Sequence, residues 1–134
     1  MEESILNSIK KLLGIASDYT NFDSDILMHI NTAFMTLSQI GIGPSNGFAI
    51  KDNTAIWKDY VIPEDNLESI KTYIYLKVKI VFDPPLNSSV MESMKQVINE
   101  LEWRLNVQAE TNVANPPINK NPESIPDDYI GKLN

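Results

Sequence analysis

The sequence contains no cysteine, one histidine (His29) and one arginine (Arg104) among its 134 residues. The absence of cysteine excludes disulfides, thiolate metal sites and cysteine nucleophiles. A single histidine excludes a histidine-rich metal cluster and any Ser–His pair that does not use His29. No apolar run approaches the roughly 20 residues needed to cross a bilayer, and Glu2 and Glu3 do not suit the basic start of a signal peptide. We therefore expect a soluble intracellular protein with no membrane partner.

Basic residues are also scarce relative to acidic ones. The chain carries 11 Lys and Arg against 18 Asp and Glu, which gives a formal net charge of -7. Tight wrapping of nucleic acid needs clustered basic groups that release counterions from the phosphates. The acidic balance therefore argues against a protein that grips nucleic acid, although it allows one that lies beside DNA without binding it.

The remaining composition is that of one globular domain followed by a tail. Hydrophobic residues make up 43% and charged residues 22% of the chain, and a chain of this length buries roughly two-thirds of its unfolded surface. Four of the eight prolines and five asparagines fall in residues 111–134, whose few apolar residues show no period. We therefore expect a helical domain over 1–110 and an extended or disordered tail over 111–134 that is able to order on a partner.

Helical periodicity accounts for most of residues 1–110. Apolar residues recur at spacings of three and four in four segments, about 2–13, 24–40, 64–82 and 89–108. The third segment is apolar over much of its circumference, which is typical of a helix at the centre of a bundle. Pro63 suits its first position, and Asp83-Pro84-Pro85 ends it. The sequence thus predicts a mainly all-α fold, a small four-helix bundle.

The connection at 41–62 does not share this periodicity. Gly41, Gly43, Pro44 and Gly47 break any helix there. Two short apolar runs, 48–50 and 55–57, then flank the four residues 51–54. This pattern fits either a short β-hairpin with a four-residue loop or an irregular loop between the second and third helices.

No group of residues assembles into a catalytic or metal site in the sequence. His29 lies beside the apolar stripe of the second helix, so we expect it to be solvated. Asp18, Asp23 and Asp25 do not match a calcium-binding loop, because the central glycine and the terminal glutamate of that loop are missing. The segment 41–47 lacks the Lys-Ser/Thr pair of a phosphate-binding loop. We therefore expect no enzyme activity, no cofactor and no metal ion.

Aromatic and apolar residues outside the helical stripes are the remaining candidates for function. Trp103 lies about 140° around a regular fourth helix from Ile98, so its ring is either half-covered by a neighbouring element or an interface anchor. Trp57 leaves the same two interpretations open. The sparse apolar residues of the tail belong either to a plain terminus or to a segment that orders on a partner. The partner-interface candidates are Trp57, Trp103, Arg104, Val107, Ile118, Ile125, Tyr129 and Ile130.

Two stretches of the helical part resemble a known family. They are YIYLKVKIVFDPP at 73–85 and ELEWRLNVQAE at 100–110. A first helix ending in KKLLGI at 10–15, followed by YTNFD at 19–23, adds to the pattern. Over roughly 1–110 the chain resembles the head–tail connector proteins of tailed bacteriophages, small helical adaptors that lie beneath the portal. None of these residues is catalytic, so the resemblance depends on pattern alone.

The resemblance implies a structural virion protein, made in the cytoplasm of a bacterial host and located at the head–tail junction. Such a protein forms a ring, typically twelvefold, on the portal ring and prolongs the channel through which double-stranded DNA passes. It then receives a head-closure, stopper or tail-completion protein. Family members use a C-terminal segment to engage the portal, and residues 111–134 are compatible with that use. The Gly-rich connection at 41–62 departs from a plain bundle, which leaves open which surface faces the tail.

A second class of function is also compatible with the sequence. A small helical adaptor or regulator that binds a single host or phage protein would have the same composition. Assembly on a portal distinguishes the two, because only the connector forms a ring there. Ring contacts run head to tail, so each protomer of a connector needs two different complementary faces.

Overall fold

Helices dominate the structure. The computed structural model describes residues 3–60 and 66–114. Its elements are α1 (Ile5–Leu12), α2 (Asp23–Gln39), α3 (Leu67–Phe82) and α4 (Ser88–Ala114), with a short 3₁₀ turn at Trp57–Asp59. These residues contain no strand, and one isolated bridge joins Ser4 to Ile56. The prediction of a mainly all-α, four-helix fold is confirmed.

The helix at the centre is α3, as its apolar circumference predicted. Ile70, Tyr73, Ile74 and Val78 are fully buried. Both α2 and α4 pack on α3, while α1 contacts α2 and α3. Each buried aliphatic side chain stabilises the fold by about 1.5–3 kcal/mol relative to an exposed one. The hydrophobic core therefore forms around α3, and the other helices are held by what they bury against it.

The connection between α2 and α3 is irregular over its described part, 40–60, so the hairpin alternative is wrong. Ile50 pairs with a side chain: its N–H donates to Asn31 Oδ1 at 2.8 Å, and its carbonyl accepts from Asn31 Nδ2 at 2.9 Å. The Ala55 carbonyl accepts from the Ile5 N–H at 2.9 Å. The backbone of one flank is therefore hydrogen-bonded to α2 and that of the other to the start of α1, so these groups are satisfied without pairing between the two flanks. The irregular-loop alternative is confirmed.

Two helix ends differ from the predicted ones. The first helix begins at Ile5, three residues late, because Ser4 Oγ accepts a hydrogen bond from the Asn7 N–H at 3.2 Å and caps it. The last helix continues to Ala114, since the next helix-breaking residue in the sequence is Pro116. The start of α3 predicted at Pro63 lies outside the described residues. The division at 110 between a helical domain and a tail stays a prediction.

Lys10 is fully buried although it carries a charge. Its Nζ donates to the carbonyl oxygens of Ser17 at 3.1 Å and Tyr19 at 2.7 Å, and it lies 2.8 Å from Asp23 Oδ1. A buried ammonium needs such partners, because leaving it unpaired costs several kcal/mol. We call this arrangement the Lys10 joint, and it ties α1, the loop after it and the first residue of α2 together.

Candidate partner-binding surface on α4

The core-facing side of α4 is buried only from Ile98 onward. Ile98, Leu105 and Ala109 are 5%, 2% and 8% exposed, whereas no residue of 88–97 is buried. These three share one side because their spacings of seven and four are those of a helix. The Tyr73 hydroxyl of α3 reinforces the seam by donating to Glu102 Oε1 at 2.8 Å. A narrow seam thus attaches α4 and leaves its outer side available.

The outer side of α4 carries the Trp103 patch, which we define as Trp103, Arg104 and Val107. Trp103 and Val107 lie one turn apart and are 66% and 39% exposed. The Arg104 side chain is also exposed and pairs with Glu100, one turn earlier. Tryptophan and arginine are enriched at the residues that dominate binding energy in interfaces. The described part of the chain therefore leaves the Trp103 ring largely uncovered, and its role as an anchor for a partner stays a prediction.

Trp57 occupies a different environment. It is 6% exposed, and its Nε1 donates to Ser8 Oγ at 2.9 Å. The ammonium of Lys71 lies 5.4 Å from the ring centroid, within the range of a cation–π contact. The fold of the chain itself thus accounts for Trp57, which closes the core beside α1. A contact of the Trp57 ring with a partner stays a prediction.

Four of the predicted interface residues belong to the tail. Ile118, Ile125, Tyr129 and Ile130 lie outside the described residues, and their roles stay predictions. Among the side chains that the structure describes, the last buried one of α4 is Ala109, and the described helix ends at Ala114.

The residues considered for chemistry are not brought together. His29 is partly exposed on α2, and the hydroxyls of Thr32 and Thr36 donate to backbone carbonyls one turn earlier, at 2.9 and 3.2 Å. The part of the chain that the structure describes contains no group of three or more His, Asp or Glu side chains placed to hold a metal ion. Asp23, considered as a calcium ligand in the sequence, instead pairs with Lys10.

Two buried tyrosines have pKa values displaced upward. Burial raises the pKa of Tyr60 to about 12. The ring centroids of Phe34 and Phe48 lie 4.8 and 5.0 Å from that of Tyr60. Burial, together with the hydrogen bond to Glu102, also raises the pKa of Tyr73. Both side chains are neutral at physiological pH, so they serve as packing groups and, for Tyr73, as a hydrogen-bond donor.

Grooves flank α3 on two sides. The groove between α3 and the first half of α4 has a volume of about 360 Å³ and an apolar lining that includes Leu76, Val90 and Val97. A second groove, of about 670 Å³, lies between α1 and α3 and is lined in part by charged residues. Its Lys71 already lies 3.7 and 3.8 Å from the carboxylates of Glu3 and Glu68.

One exposed surface escaped the sequence analysis. Met28 and Met35 of α2 are 57% and 56% exposed, on the side of the helix away from the core. A signal was present in the sequence, because no Asp, Glu, Lys or Arg occurs between Asp25 and Lys51. Apolar stripes do not reveal an absence of charge, so this face is not among the predicted interface residues.

The fold defines a small helical protein whose last helix carries an exposed tryptophan and arginine. The family model described as phage connector protein matches residues 5–112, and the chain belongs to that family. This is a family of structural proteins rather than of enzymes. No curated protein and no solved structure matches the chain. No helix in the described residues is long and apolar enough to cross a membrane.

Proposed function

We propose that this connector protein forms a ring beneath the portal of a tailed phage, extends the DNA channel and links the head to the next protein of the neck or tail. The observation that carries the proposal is the family match over residues 5–112. The helical fold, with a long last helix that presents an exposed Trp–Arg pair, supports it. The protein acts at the head–tail junction of the virion, after synthesis in the host cytoplasm.

The charge of the chain supports passage of DNA without specific binding. A net charge of -7 repels the phosphate backbone, and a conduit must let double-stranded DNA slide through it rather than hold it. The partners in this proposal are the portal ring, neighbouring copies of the chain in a ring that is typically twelvefold, and a head-closure, stopper or tail-completion protein.

The Trp103 patch and the tail are assigned to different contacts of the assembly. The Trp103 patch is exposed on a helix that is already fixed to the body, so it is suited to a rigid contact within the assembly. The tail, with Ile118, Ile125, Tyr129 and Ile130, is suited to the portal, because its Pro- and Asn-rich sequence follows α4 and would lose its ordering entropy only on assembly.

Deletion of residues 115–134 tests the proposal without cutting α4. Tagged full-length and truncated chains would be recovered from phage-producing cells, and the co-eluting material would be imaged by negative-stain electron microscopy. We expect full-length protein to recover portal rings or heads that carry an extra annular layer. The truncated chain should fold with an unfolding free energy within about 0.5 kcal/mol of the full-length value, but recover far less portal.

A second variant keeps the full chain length and replaces Ile118, Ile125, Tyr129 and Ile130 by serine. It should behave as the truncated chain does if these side chains are the anchors. Truncated protein that recovers as much portal as full-length protein would contradict the role of the tail. Recovery of a single soluble host or phage protein and no portal would overturn the connector proposal in favour of a small helical adaptor or regulator.

A further inference from the structure

The exposed face of α2 is unusual for the surface of this chain. More than one residue in five of the whole chain is charged, yet none is charged between Asp25 and Lys51. Met28 and Met35 stand two turns apart on one side of α2, and Thr32 and Gln39 lie on the same side. We call these four residues the methionine face. All four are exposed, whereas the core side of the helix is fully buried.

The composition of the methionine face is that of an interface. Interface cores are depleted in charged residues and enriched in methionine, which adapts its flexible side chain to a partner. The Thr32 hydroxyl is already bonded to the Met28 carbonyl at 2.9 Å, so burying it leaves no donor unpaired. A solvent-facing helix without such a role normally carries charged residues on its outer side.

A groove extends this face. It lies between α2 and the loop at 46–49, has a volume of about 490 Å³, and is lined by Met35, Ser38, Gln39, Asn46 and Phe48, among other uncharged residues. Asn31 fixes the loop side of the groove through its two hydrogen bonds to the backbone of Ile50. The groove is therefore built into the fold, next to Met35, and offers room for a large apolar side chain.

We infer that the methionine face of one protomer binds the Trp103 patch of a second copy of this chain. A surface without charge favours an apolar or aromatic partner, since a charge buried against it would be unpaired. Trp103 is the most exposed aromatic side chain among the described residues. The Trp103 patch extends over about 6 Å of α4 and the methionine face over about 16 Å of α2, so the patch fits within the length of the face.

Charge complementarity at the edge of the contact supports the same pairing. Asp25 lies one turn before Met28, is exposed, and forms no ion pair within the described residues. Arg104 lies beside Trp103, is exposed as well, and pairs with Glu100 of its own helix. A neighbouring protomer would therefore bring a guanidinium, which has more N–H donors than Glu100 uses, to the end of the methionine face that carries an anion.

The two surfaces lie on different helices, α2 and α4, which both pack on α3. A contact between two different surfaces is heterologous, and its repetition closes a ring when the rotation permits. The inference rests on the proposed function, since it identifies the faces that join neighbouring copies in the connector ring.

Absence of native cysteine makes a cross-linking test direct. The variant M35C/V107C carries one new thiol on each surface, and a short bis-maleimide would be added to purified full-length protein at high concentration and to particles from phage-producing cells. We expect a ladder of dimers and higher multimers, because each copy can join two neighbours. M35C alone and V107C alone should give no dimer. The matched control M35C/K95C places the second thiol on a different side of α4 and should give no ladder.

Several outcomes overturn the inference. Dimers from M35C alone would show that the methionine face meets itself, and a cross-link from Met35→Cys to a different phage protein would assign the face to that protein. Absence of a ladder in both preparations, with the chain present in the particles, would refute the pairing and leave the connector proposal intact. Particles that lack the chain would contradict the connector proposal. The cross-linking ladder from purified protein would then be the test of whether the methionine face binds the Trp103 patch.

Discussion

The body formed by α1, α2 and α3 differs from α4 in how it treats its polar and aromatic groups. The body encloses them: Lys10 is fully buried with three oxygen partners, and the Trp57 Nε1–H donates to Ser8. Along α4, the tryptophan is 66% exposed, and only three of the side chains described over 88–111 are buried. The body is stabilised by contacts within the chain, whereas much of the apolar surface of α4 has no partner among the described residues. The contacts that hold the fold are therefore concentrated in the body, whereas the two surfaces proposed to bind lie one on α4 and one, the methionine face, on α2.

Loss of the Lys10 ammonium should damage the body most. The variant Lys10→Met keeps an unbranched side chain but leaves two carbonyls and the Asp23 carboxylate without their cation. We expect a destabilisation of about 3 kcal/mol, measured by urea unfolding as a lower midpoint at an unchanged slope. Lys11→Met is the control, because Lys11 is exposed. Equal midpoints for the two variants would show that the joint contributes nothing.

Removal of the Tyr73 hydroxyl should loosen α4 while sparing the body. Tyr73→Phe deletes the 2.8 Å hydrogen bond to Glu102 that crosses from α3 to α4, and a bond to a charged group contributes about 1.5 kcal/mol. Amide hydrogen exchange should accelerate in α4 more than in α3. Tyr75→Phe, on the same helix but only partly buried, provides the comparison. Uniform acceleration across both helices would contradict a local seam.

Alkaline pH should act on the body through Tyr60. The folded state raises the pKa of Tyr60 to about 12 from the ordinary value of 10.0, so it holds the proton more tightly than the unfolded state does. Stability from this group is complete below about pH 10 and is lost as pH rises toward about 12. Tyr60→Phe should therefore lose less melting temperature over that range than the native chain. Since the pKa of Tyr73 is also raised, Tyr60→Phe should keep some sensitivity to alkaline pH. Identical profiles of melting temperature against pH for Tyr60→Phe and the native chain would refute the assignment to Tyr60.

Substitution of Trp103 should have the smallest effect on the free chain. Trp103→Ala removes a large side chain that is mostly in water, so we expect a change in unfolding free energy within about 0.5 kcal/mol. Leu105→Ala, two residues further along, should lose at least about 2 kcal/mol, because Leu105 is 2% exposed. A large loss of stability from Trp103→Ala would mean that the patch belongs to the fold and is not reserved for a partner.

Periodicity was sufficient to predict the four helices, but not how much of α4 is buried, since the apolar residues Val90 and Val97 are exposed. The position of Trp103 relative to Ile98 follows from helical geometry alone, and the structure places its ring outward. The irregular loop was harder, because the group that pairs with Ile50 is a side chain at Asn31, far away in sequence. No pattern of turns or alternation reports such a partner, so the hairpin and the loop stayed equally compatible with the residues.

The burial of Lys10 and Trp57 could not be predicted from the sequence for a similar reason. Lysine in the last turn of a short helix is ordinarily solvated, and the oxygens that hold Lys10 come from the loop that follows and from Asp23. The two interpretations of Trp57 depended on whether α1 would lie across it. The methionine face, in contrast, had a signal in the missing charges between Asp25 and Lys51, which apolar periodicity does not measure.

The Lys10 joint has a consequence for the surroundings in which the protein can work. In a chain without cysteine, an ammonium that is held by two carbonyls and a carboxylate connects three segments, as a disulfide or a structural zinc does in other small proteins. Thiols and chelators act on sulfur and metal bonds and leave these contacts untouched. The joint is therefore equally strong in a reducing cytoplasm and in an oxidising medium outside the cell.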